Sequence, residues 1–131
     1  MKGSTGVRLV ATVALGLFFI AAGANHFVHA PFYIRMVPLW LPGPTLLVAI
    51  SGACEVLGGI GVLVPATRRL AGIALIALLI AVFPANLQMA LHPELYRDIG
   101  SATAFLIRLP LQFVVIAWVW WATGVTGRPV S

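Results

Sequence analysis

From Thr45 to Val64 the chain is apolar apart from a few small polar side chains and one carboxylate, Glu55, placed near the middle of the run. A charged side chain at mid-membrane costs about 3 kcal/mol even on the lenient insertion scale, so such a residue faces the interior of a bundle and takes a partner there. The chain therefore has to bring a polar counterpart to Glu55 from another element. The matching cation is Arg108, flanked by apolar residues in a later run. Any fold for this chain must accommodate both.

Hydrophobic residues make up 61% of the 131 and charged residues only 8%, where soluble domains carry about a quarter charged. That describes an integral membrane protein with a single domain. The formal net charge of +5 lacks the basic stripe that nucleic acid would need, and the arginines sit at the ends of apolar runs, where they anchor a membrane face; no nucleic-acid partner is expected. One cysteine, Cys54, excludes an internal disulfide, a Cys-x-x-Cys redox pair and a thiolate metal cluster. It reads as a small packed side chain.

Four apolar runs, at about residues 7–26, 45–64, 70–91 and 101–123, predict an all-α bundle of four transmembrane helices. The first ends in Ala22-Gly23-Ala24, which has the small-residue pattern of a signal-peptidase site, but it is taken here as a retained helix. Its Gly16, Phe19, Gly23 and His26 share one helical face. Between Asn25 and Pro44 four prolines alternate with Tyr33, Arg35 and Trp40, which predicts an interfacial loop or short helix lying over the bundle. The second run carries Ser51, Glu55 and Gly59 at four-residue intervals, with Gly52 and Gly58 beside them, a face suited to close packing. In the third, Pro84 cannot donate to the Ile80 carbonyl, so a kink is expected before Asn86 and Gln88. In the fourth, Arg108 and Gln112 share a face, and Trp118, Trp120 and Trp121 read as an interfacial belt.

Lys2, Arg8, Arg68, Arg69 and Arg128 fall on one side of four alternating spans, against Arg35 and Arg97 on the other. The bias predicts a cell (inner) membrane protein with both termini cytoplasmic. Counting about 1.5 Å per residue from each helix's outer end puts Asn25 and His26 at the outer boundary, Asn86 and Gln88 within about two turns of it, Arg108 about 10 Å down, and Glu55 and Gln112 about 15 Å down. The polar residues thus gather in the outer half. Two arrangements satisfy them: an ionised Glu55 paired with Arg108, with Gln112, Asn86 and Ser51 completing the hydrogen bonds, or a protonated Glu55 with Arg108 turned to the outer water. His26 and His29 stand one turn apart, which raises a metal or haem site, but Pro31 disturbs the helix there and interfacial histidines need no ligand. No metal is expected.

Several motifs together resemble a known family. They are Ala22-Gly23-Ala24-Asn25-His26-Phe27, the stretch Tyr33 to Pro44, Ser51-Gly52-Ala53-Cys54-Glu55 with Gly58-Gly59, Pro65 with Arg68-Arg69, Val82 to Met89, and Arg108-Leu109-Pro110-Leu111-Gln112. Spread over nearly the whole chain, they resemble the DoxX-like membrane proteins. The resemblance implies a small four-helix membrane protein. It also implies a link to one of several roles: quinone-coupled thiosulfate oxidation, oxidative-stress assemblies with soluble redox enzymes, or receptor chaperoning.

The expected site is an outer-half pocket with Glu55 and Arg108 as polar anchors, Gln112, Asn86, His26, Asn25 and Ser51 around them, and Trp40 and Phe27 at its mouth. It would hold a lipophilic small molecule such as a quinone, Arg108 binding a carbonyl or anionic head and Glu55 holding Arg108 or exchanging a proton. Two alternatives stay open: an accessory subunit that docks through Ser51, Gly52, Gly58 and Gly59, and a quinone-linked oxidoreductase subunit using Glu55 for proton transfer. Besides the lipid bilayer, the expected partners are a membrane or soluble redox protein and a second copy of the chain.

Overall fold

The computed structural model describes residues 2–125; Arg128, counted above among the basic residues of one side, lies outside them. The elements run α1 (Lys2–Val28), α2 (Ala30–Met36), α3 (Pro44–Leu63), α4 (Arg68–Leu91), a single 3-10 turn (Pro93–Tyr96) and α5 (Ala102–Thr123). The protein is an all-α bundle whose four long helices are each apolar enough to cross a membrane, and α2 is the short helix between the first two. α1 begins five residues before the expected span, because hydropathy marks the apolar part of a helix while backbone hydrogen bonding continues into its polar flank.

Local chemistry sets the boundaries. Proline opens the first turn of α2 and of α3, where its missing N–H would be unpartnered anyway. Gly43 precedes α3 with φ 62°, and Gly124 follows α5 with φ 69°, left-handed positions that favour glycine. Ser101 caps α5 by accepting the Ala104 amide at 3.1 Å. Arg68, expected only as a membrane-face cation, turns back instead and donates from Nε to the Val62 carbonyl at 2.7 Å, while the Thr67 hydroxyl donates to Gly61 at 2.8 Å. Together they satisfy the last carbonyls of α3. α4 continues through Pro84 and α5 through Pro110.

Around the bundle α1 packs on α3, α3 on α4, α4 on α5 and α5 on α1, which leaves α3 and α5 on a diagonal. The α1–α3 interface is the most extensive and is built on glycine. A Cβ on Gly59 would stand 2.6 Å from the Gly16 carbonyl oxygen, and one on Gly23 the same distance from that of Gly52. Backbone therefore lies on backbone at two levels. The seven-residue spacing along each helix, Gly16 to Gly23 and Gly52 to Gly59, keeps both contacts on one left-handed seam. Away from α2, Leu15, Phe19, Val62, Ala71, Leu75, Val119 and Ala122 form an apolar core. Thr12 and Trp118 tie α1 to α5 there, donating to Ala122 (3.0 Å) and from Nε1 to Ala11 (3.1 Å), so Trp118 is not simply part of a belt.

Candidate functional site

Glu55 meets His26, not Arg108. Its Oε2 lies 3.3 Å from His26 Nδ1, and both side chains are 13% exposed. Counting Cα depth separated these two residues, but side chains lean toward the N-terminus of their own helix. In antiparallel α1 and α3 this sends Glu55 toward the α2 end of the bundle and His26 away from it. Gly23 opposite Gly52 also sets α1 lower than α3, and a Cβ on Gly52 would stand 2.8 Å from the His26 Cβ. Glycine at 52 is what lets the imidazole in.

His26 Nδ1 also lies 2.8 Å from the Ala22 carbonyl. A carbonyl only accepts, so Nδ1 carries a hydrogen and donates along the helix. Glu55 Oε2 is left buried with no hydrogen-bond partner among the described residues. Tyr33 of α2 stacks on the imidazole at 4.0 Å and 17°, and its hydroxyl accepts from Asn25 Nδ2 at 2.6 Å. Asn25, His26, Tyr33 and Glu55 therefore form one cluster where three helices join. Ser51 lies one turn from Glu55 on α3, partly buried.

Arg108 stands across the diagonal and donates from Nη1 to the Met36 thioether at 3.6 Å. Asn86 and Gln112 complete no bridge to Glu55. Asn86 Nδ2 donates to Gln112 Oε1 and Gln112 Nε2 to the Leu79 carbonyl, each at 2.6 Å, joining α4 to α5 beside Pro84. Both departures have the same cause: residues at matching depth on opposite corners of a bundle need not touch.

Above the two polar groups lies α2. Arg35 donates from Nε and Nη2 to the two Asp98 oxygens at 2.9 and 2.8 Å and from Nη2 to the Leu95 carbonyl at 2.7 Å, with its guanidinium 5.5 Å over the Tyr96 ring. The hydrogen bond from Arg35 holds the Asp98 carboxyl below its ordinary value, and the same bond raises Arg35. On the under side Met36 packs against Met89, Tyr96 and Phe105. Sequence reading missed this latch, because nothing local relates Arg35 to an acid 63 residues away.

Other expected features fall elsewhere. Trp40 (66% exposed) and Phe27 (53% exposed) lie on the outer surface and do not frame an enclosed mouth, although the Phe27 ring rests near Gly52. Cys54 is exposed on α3 and not packed. The small-residue face is used inside the chain: Gly52 and Gly59 pack on α1 and Gly58 on Leu75 of α4. A cavity of about 200 Å³ lies in the α4–α5 loop at Pro93, Glu94, Arg97 and the start of α5, apart from the Glu55 cluster. Among the described residues no three His, Cys, Asp or Glu side chains gather as metal ligands.

No curated protein and no solved structure matches the chain. The sequence model of the family described as Domain of unknown function (DUF8561) matches residues 15–123, nearly the whole bundle, and the chain belongs to that family.

Proposed function

We propose that this protein binds a lipophilic small molecule of the quinone class from the membrane, holding its polar head at Glu55, His26, Tyr33 and Asn25 beneath α2. The observation that carries this reading is the buried Glu55 Oε2, which has no hydrogen-bond partner among the described residues although it lies 3.3 Å from an imidazole nitrogen. An unmet acceptor in an apolar span is costly, and a ligand hydroxyl relieves the cost. An ionised Glu55 accepts from the hydroxyl of a reduced quinone; a protonated one donates to the carbonyl of the oxidised form. The site thereby suits both redox states of one ligand class. The resemblance to DoxX-like proteins supports a link to redox or oxidative-stress processes. The basic residues at the α3–α4 turn and near the start of α1 support an inner-membrane location with cytoplasmic termini.

Calorimetric titration of a short-chain quinol and of its quinone into protein held in nanodiscs tests the proposal. Saturable binding is expected, and binding of the quinol should weaken about tenfold or more in Glu55→Gln through loss of one charge-assisted hydrogen bond. Absence of saturable binding, or equal binding by the variant, refutes it.

A further inference from the structure

The chain has three carboxylate side chains, and each lies against a group other than Arg108. Asp98 is gripped by Arg35, Glu94 lies 3.5 Å from His92 Nδ1, and Glu55 lies against His26. Arg108, partly buried inside an apolar span, has among the described residues only the Met36 thioether as a hydrogen-bond partner. Sulfur is a weak acceptor, while guanidinium presents five donors in a planar fork that suits oxyanions. Among the described residues no carboxylate stands against it, which leaves the fork open to an oxyanion from the membrane. Arg108 stands about 10 Å from the outer end of α5, and its side chain leans toward that end, as the contact with the last residue of α2 requires. The fork is thereby carried toward the headgroup layer. Beside it Leu106, Ile107 and Leu111 are all at least half exposed, an apolar surface on which acyl chains can lie.

We infer that Arg108 receives the phosphate oxyanion of an anionic phospholipid from the leaflet on the α2 side, the lipid's acyl chains running along α5. A free phosphate would leave that apolar surface unused. This site is separate from the Glu55 cluster and does not depend on what binds there.

Native mass spectrometry in mild detergent, with equal amounts of dioleoyl phosphatidylglycerol and dioleoyl phosphatidylcholine, reads the preference directly. The wild-type protein is expected to retain the anionic lipid about fivefold over the zwitterionic one, the scale of one basic residue against an anionic surface. Arg108→Leu should abolish the preference, whereas Arg97→Gln, at an exposed cation of the loop, and Glu55→Gln should keep it. Arg108→Gln repeats the test if the leucine variant loses helical content. No preference in the wild type, a preference unchanged in the Arg108 variants, or equal loss in Arg97→Gln would overturn the inference. Release of the lipid by inorganic phosphate would reassign the site to the free anion.

Discussion

At the scale of single residues, polar groups in an apolar bundle act through the few neighbours they can reach. Gln112 is 6% exposed and spends both ends of its amide, accepting from Asn86 and donating to Leu79. Asn86→Leu should destabilise the bundle by about 0.6 to 2 kcal/mol in reversible detergent unfolding, and the double change with Gln112→Leu should cost less than the two single changes summed. The Arg35–Asp98 latch behaves differently because it faces water. Asp98 titrates lower in the folded protein than when unfolded, so its contribution is complete above the ordinary carboxylate range near pH 4 and is lost as pH falls through the depressed value. Amide exchange in α2 should accelerate in Asp98→Asn at neutral pH, and wild type should approach that rate only in acid. Unchanged exchange in the variant would remove Arg35 as the tie. Residue types were legible in the sequence; partners were not. Glu55 announced itself by its cost in an apolar run, but His26 could be found only from the direction in which each side chain leans.

Between elements, the α1–α3 seam concentrates the tightest constraint. Gly59→Leu drives a side chain into the Gly16 carbonyl and Ile20, so a loss of about 1–3 kcal/mol is expected, whereas Gly6→Ala meets nothing within 4 Å and should be neutral or slightly stabilising. Thermal unfolding in one detergent compares them. The four long helices were readable from hydropathy to within two residues at nearly every end, since length and apolar composition alone specify a span. Their arrangement was not. Matching depth suggested that the second and fourth spans share a pair, yet the ring order places them on a diagonal, and the glycine face expected to dock a partner is used by α1 and α4. The short helix over the bundle was legible from its prolines and aromatic residues, but its latch to the 92–100 loop depends on tertiary placement.

For the whole molecule, the half of the bundle away from α2 is closed by an apolar core, and the half beneath α2 holds the Glu55 cluster and Arg108. If both termini face the cytoplasm, then in a Cys54→Ser background Arg97→Cys should react with an impermeant maleimide on intact cells, and Arg69→Cys only after lysis. The reverse pattern would invert the topology and put the Glu55 cluster toward the cytoplasm. The central claim is that this cluster is incomplete without a ligand from the membrane. Native mass spectrometry of the protein released from its own membrane in mild detergent tests that most directly. A stoichiometric lipophile with a hydroxyl or carbonyl head, retained by the wild type and lost from Glu55→Gln, is the result the account predicts. A bare wild-type chain, or the same lipophile held equally by the variant, would contradict it.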